Sequence, residues 1–218
     1  AAGQLYSYNA FGSGAEDSYA PVLMSGYYGF NTALTVQNLG VNPTDVKVTY
    51  SDGSTHTETV AASSSQLFYT PNEGLGPTWL GSAKVESLGG EPIVALINEE
   101  GAANRAASYS GFPGGSTTAN APIVMKGYYQ YSTSITCQNI GSGDTDITIT
   151  YSDVSATTDT AEDVPANGTA LFYQPNETGL NTGFNGSAII TAGEDIVCIV
   201  NENQIDNLVE SIKNGLRA

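Results

Sequence analysis

Residues 20–40, APVLMSGYYGFNTALTVQNLG, recur at 121–141 as APIVMKGYYQYSTSITCQNIG. The offset stays at 101 positions throughout, so neither copy has gained or lost a residue, and the chain must build the same local unit twice. Each copy opens with an apolar run (Val22, Leu23, Met24; Ile123, Val124, Met125) and turns at a glycine followed by two tyrosines. It then alternates apolar and polar residues, which places Leu34 and Val36, or Ile135 and Cys137, on one face of a strand.

The repeat extends beyond this element on both sides. Upstream, Ser7, Tyr8 and Phe11 return as Ser108, Tyr109 and Phe112. Downstream, DVKVTY at 45–50 and DITITY at 146–151 alternate as half-buried strands do. The offset grows to 104 at Leu67, Phe68, Tyr69 against Leu171, Phe172, Tyr173, so three residues were added in a predicted hairpin. A Pro-Asn-Glu turn follows in both copies, and a last apolar strand runs over 93–98 and 196–201. The spacing predicts an all-β chain with seven or eight short strands per repeat. The expected division is an N-terminal strand at 1–12, one β-sandwich at 13–112, a second at 113–204, and a tail at 205–218.

Charge narrows the function. Six Lys and Arg stand against 22 Asp and Glu, a net charge of −16. Residues 1–105 carry three basic and ten acidic side chains, and the remainder three and twelve, so neither half offers the basic surface that phosphate neutralisation requires. Only 13% of the residues are charged, and the surface falls to Ser, Thr, Asn and Gly, the composition of a secreted protein. No apolar run is long enough to span a bilayer, and Ala1, Ala2, Gly3 is the start expected of a mature chain after removal of a signal peptide.

Catalytic chemistry finds little to stand on. His56 is the one histidine and falls where the copies cease to align, so no catalytic residue is expected and the chain is read as a non-enzyme. Carboxylate pairs such as Glu16 with Asp17, Glu162 with Asp163 and Glu194 with Asp195 read as solvated turns. Zinc lacks its His and Cys clusters. No cofactor is expected except structural calcium, for which Asp144 and Asp146 in a tight turn are the oxygen ligands on offer. Tyr27, Tyr28, Phe30, Tyr128, Tyr129 and Tyr131 suit an interface or a glycan-stacking platform. Asn167, Asn176 and Asn185 each begin an N-x-Ser/Thr glycosylation sequon. Cys137 and Cys198 align with Val36 and Ala95 of the first copy. Joint replacement of a pair argues for contact, and a disulfide is expected, since both cysteines lie mid-strand in apolar segments as the inter-sheet bridge of antibody domains does.

The strand spacing with polar turns resembles the immunoglobulin-like sandwich. The Tyr27-Tyr28, Thr32, Gln37-Asn38 and Gly40 signatures look like repeat modules of bacterial cell-surface proteins. The resemblance implies two tandem sandwiches of that kind. One mismatch suggests how such subunits join. Residues 104–112 follow the last strand of the first copy and are placed to close it, whereas the second copy is followed by 205–218. There Ile205, Leu208, Val209, Ile212 and Leu216 have helical spacing, while Asn207 to Ile212 aligns with Asn104 to Tyr109, so the tail is either a helix or an edge strand that completes the second copy within its own subunit. A spare copy of the closing segment, with Leu5, Tyr8 and Phe11, stands at the N-terminus. Its insertion into a neighbour resembles donor-strand pairing in pilus subunits. The expectation is a secreted homopolymer, built head-to-tail as an extracellular filament or surface layer; the alternative is a monomeric adhesion or carbohydrate-binding module at the cell surface.

Overall fold

In a computed structural model the described residues are 7–101 and 105–204. They form two antiparallel sheets, one from each repeat. The first repeat supplies β1 (Asp17–Tyr27), β2 (Phe30–Asn38), β3 (Thr44–Tyr50), β4 (Thr55–Val60), β5 (Ser65–Tyr69), β6 (Trp79–Ser87), β7 (Ile93–Gly101) and β8 (Arg105–Ser110). The second supplies β9 (Ser116–Lys126), β10 (Tyr131–Asn139), β11 (Thr145–Tyr151), β12 (Thr158–Val164), β13 (Thr169–Tyr173) and β14 (Phe184–Gln204). Single 3-10 turns, 70–72 and 174–176, carry the two Pro-Asn pairs.

The first sheet runs β4-β3-β6-β1-β2-β7-β8, with β5 on the other flank of β2. Because β1 meets β2 only at the hairpin end, through Ser25–Asn31 and Tyr27–Phe30, the sheet folds into two layers. The inward residues Leu23, Leu34, Val36, Val48, Phe68, Val85 and Ile97 fill the space between them. Removing each such side chain from water contributes about 2 kcal/mol. The pairs β2–β5 and β3–β6 match those of an immunoglobulin sandwich, but β7 joins β2 along its whole length instead of extending β3–β6.

The second sheet follows the same plan, β12-β11-β14-β10-β13 with β9 on β14. Its difference is β14, whose 21 residues do the work of β6 and β7 together. The first part pairs with β9 and β11, and the last part with β10. Between β6 and β7 the chain breaks at LGGEP, where Pro92 removes a ladder donor and Gly90 adopts φ 73°. The matching residues 191–195, TAGED, contain no proline and continue as strand. Instead of many short strands, this repeat therefore has five and a long bent one.

Cys137 and Cys198 are disulfide-bonded, with 4.1 Å between their Cα atoms. They sit directly opposite one another on β10 and β14. The bond is thus a cross-strand link inside one sheet, and the comparison with the antibody bridge between sheets is corrected. The alternating pattern reports which face a residue takes, but two positions on one face fit either neighbours in a sheet or partners across the core.

The signature residues are structural. Asn38 is buried and donates its amide to the carbonyls of Asn42 and Val60 while accepting from the Gly40 N–H; Asn139 repeats this with Gly143, Val164 and Gly141. A Cβ at Gly40 would lie 1.7 Å from the Glu91 carboxylate, and at Gly141 2.0 Å from that of Glu194, which explains the glycine two residues on. Thr32 and Thr133 accept the Met24 and Met125 N–H groups in the same manner.

Candidate functional site

The two repeats differ most along the edge that β8 covers. In the first repeat β7 lies between β2 and β8, paired with β8 from Leu96–Ser110 to Gly101–Arg105. In the second, the corresponding end of β14 pairs with β10, and no strand among the described residues lies on its other side. Residues 205–218, read from sequence as a helix or edge strand, lie outside the described residues, as does Leu5.

A β-bulge defines what the edge needs. The pairing of β1 with β6 slips between Ala20 and Leu23, freeing the Val22 peptide from the ladder. Tyr109, projecting inward from β8, satisfies both of its groups: the hydroxyl donates to the Val22 carbonyl at 2.6 Å and accepts from the Val22 N–H at 3.1 Å. Burial raises the Tyr109 pKa well above that of a free phenol, so it stays a donor. Just beyond, the Tyr19 and Phe112 peptides exchange bonds of 2.8 and 2.9 Å. The second repeat has the same bulge between Ala121 and Val124, but no side chain among the described residues bonds to the Ile123 peptide. Ile123 is 47% exposed, where Val22 is 2% exposed. Cys198 and Val200 are only partly covered, where Ala95 and Ile97 are buried.

The segment bearing Tyr8 and Phe11 has no strand pairing over 7–11; Tyr8 is exposed and Phe11 half-buried. Of the aromatics, Tyr28 and Tyr129 project from the β1–β2 and β9–β10 turns at φ 46° and 45°, each edge-on to its neighbour, Tyr27 or Tyr128, at 4.7 Å between ring centres. Phe30 lies under the Arg105 guanidinium at 4.4 Å, and Tyr131 is exposed on β10. These residues belong to two hairpins in two sheets. Asp146 accepts the Asp163 N–H at 2.9 Å beside a bulge, and Asp144 is exposed two residues away. Among the described residues no group of three His, Cys, Asp or Glu could hold a metal. Asn176 and Asn185 are exposed; the Asn167 amide instead donates to the Thr49 carbonyl of the first repeat at 3.2 Å and accepts from Gln138 at 2.6 Å.

His56 is held between Glu73 at 2.5 Å and Glu58 at 3.0 Å, edge-on to Phe68. The Glu73 hydrogen bond is the leading cause of its raised pKa. The equivalent position on β12 is Asp159, whose pKa burial and Glu177 raise. Both arrangements tie a hairpin to a 3-10 turn. An open cleft of about 270 Å³, lined by Pro43, Thr44, Asp45, Thr59, Leu88 and Gly89, contains a single carboxylate, already bonded to the Thr59 hydroxyl.

One polar pair escaped the sequence reading. Glu99 is 2% exposed, and burial pushes its carboxyl up to about 7. Its side-chain donor among the described residues is Asn201, from the second repeat, at 3.0 and 3.3 Å. The signal was there in the repeated Asn-Glu that ends both apolar strands, Asn98-Glu99 and Asn201-Glu202.

No protein family and no curated protein matches this chain. Among solved structures, it is similar to Thermotoga maritima 1070 at 18% identity and a TM-score of 0.39, over 45% of this chain and 94% of that one. A mutant of Bacillus subtilis oxalate decarboxylase OxdC is similar at 11% and 0.24, over 88% and 67%. A tetra-tandem repeat from the extending region of a large adhesion protein is similar at 14% and 0.22, over 87% and 49%. At these TM-scores none of the three assigns a fold or a function to this chain.

Proposed function

We propose that this chain is a secreted structural subunit that polymerises head-to-tail into an extracellular filament or surface layer, with the N-terminal strand of one copy completing the second repeat of the next. The observation that carries the reading is the Tyr109 clasp. The first repeat closes its bulge with a Ser-Tyr-x-x-Phe segment, the second has none on the equivalent Ile123 peptide among the described residues, and a further copy of that segment stands at 7–11 with Tyr8 exposed and Phe11 half-buried. Tyr8 then takes the place of Tyr109, and Phe11 pairs with Asn120 as Phe112 pairs with Tyr19. Strand addition satisfies the open backbone groups and covers Val200 and Cys198. Because donor and acceptor are different surfaces, the contact does not close on itself and propagates as a fibre.

Negative-stain electron microscopy of the full chain and of a chain lacking residues 1–12 tests this. The full chain should give filaments and the truncated one folded monomers; filaments from the truncated chain would refute strand donation. The exposed Tyr28 and Tyr129 favour the second reading, a monomeric adhesion or glycan-binding module, which strong glycan-array binding by a monomer would establish.

A further inference from the structure

Strand donation accounts for one segment of the contact between chains. The joint between the two repeats describes the rest. Here β1 of the first repeat packs against β10 and β14 of the second. Thr136 and Gln138 face outward from β10 yet are buried, while their counterparts on β2, Thr35 and Gln37, are partly open. Among the described residues three hydrogen-bonded pairs cross the joint. Ser82 donates its hydroxyl to the Asn167 carbonyl at 2.8 Å, Asn167 donates its amide to the Thr49 carbonyl, and Asn201 donates to Glu99.

Each side of this joint has an unused copy. The side contributed by the second repeat is duplicated on the first as Thr35, Gln37 and Asn98; the Asn98 Oδ1 is held by Ser108 at 2.8 Å, and its amide nitrogen has no partner among the described residues. The side contributed by the first repeat is duplicated on the second as Ile123, Ser187 and Glu202, with Ile123 and Glu202 exposed. The turn residue that reaches across is also matched in backbone: Ser63 has φ 57° where Asn167 has φ 63°. Connectivity agrees as well. Within the chain, β8 completes one repeat and leads straight into the repeat that packs beside it. The N-terminal strand leads into the first repeat in the same way.

We infer that the joint between chains is a second copy of the joint between repeats, in which the outer face of β2 packs on the Ile123 edge of the next chain and Asn98 donates its amide to that chain's Glu202. This rests on the strand-donation reading for the segment that links the chains. The filament is then a run of near-equivalent repeats, with one Asn-Glu bond at every junction, alternately within and between chains. The copied joint lacks one bond, because Ser63 has no amide to reach the Thr150 carbonyl. Its Ser187 hydroxyl to Ser63 carbonyl bond is kept.

The test uses filaments of the full chain carrying Asn98→Cys and Glu202→Cys, treated with a short bis-maleimide, since side chains that meet at their tips hold their Cβ atoms too far apart for a disulfide. Expected is a ladder at multiples of the chain mass on denaturing gels, absent for either single variant. Filaments that give no ladder overturn the copied joint and leave strand donation standing; a wild-type chain that stays monomeric overturns both. Should the double variant fail to assemble, Asn98→Asp answers instead, by setting two carboxylates against each other. Its critical concentration for assembly at pH 8 should rise about tenfold, and adding Glu202→Gln should restore it. An unchanged critical concentration for Asn98→Asp would overturn the inference.

Discussion

Replacing Glu99 by Gln tests the buried pair directly. The carboxyl is almost fully enclosed, and burial raises its pKa from 4.5 to about 7, a shift the Asn201 amide reduces but does not cancel. A group whose folded pKa lies above its unfolded value stabilises the fold fully below the unfolded pKa, and that contribution disappears as pH rises through the folded one. For Glu99 the window runs from roughly pH 4.5 to 7. Above it, keeping the ionised carboxylate buried costs about 3 kcal/mol, taking about 1.4 kcal/mol per pKa unit. Gln keeps the shape and an acceptor for Asn201 and carries no charge. Glu99→Gln should therefore be more stable than the parent by a few kcal/mol at pH 8 and nearly equal to it at pH 4. The assay is urea unfolding of both proteins at a series of pH values, read by tryptophan fluorescence, since Trp79 packs on the core of the first repeat. Equal stabilities at pH 8, or a variant less stable there, would refute the reasoning.

Opening the Cys137–Cys198 bond, by Cys→Ala at both positions, should cost about 4 kcal/mol for a separation of 61 residues, seen as a lower urea midpoint for the second repeat with that of the first unchanged. His56→Gln should lower stability by less than about 1 kcal/mol, because the ring is partly exposed and its ion pairs are screened. Since the His56 pKa is raised, the difference should be present below pH 6.5 and fade as pH climbs through the folded value; a gap that grows with pH would contradict the Glu73 bond as its cause.

The duplication made the strands legible. Alternation in 45–50 and 146–151 gave β3 and β11, and the unequal hairpins fell where the offset changed. The single histidine serves in the structure as a tie between strand and turn. What stayed hidden was register. Val22 and Ile123 look alike in sequence, and only the slipped pairing opposite them takes their peptides out of the ladder. The fusion of two strands into β14 was hidden for a related reason, since it depends on whether a five-residue link bends or extends. Glu99 was passed over because an acid at the end of an apolar strand reads as its solvent-exposed terminus. Its burial comes from a neighbour about a hundred residues away.

The cross-strand disulfide also bears on how long an uncovered edge can keep its shape. A strand paired on one side only exchanges its amide protons through small opening motions that start at the free end and travel inward. Cys198 fixes β14 to β10 six residues before Gln204, the last described residue of the strand. Fraying can spread back from Gln204 but must stop at the covalent rung. Deuterium labelling should then divide β14 in two, with fast uptake over Ile199 to Gln204 and slow uptake on the approach to Cys198. Reduction would let the boundary move toward Ile196.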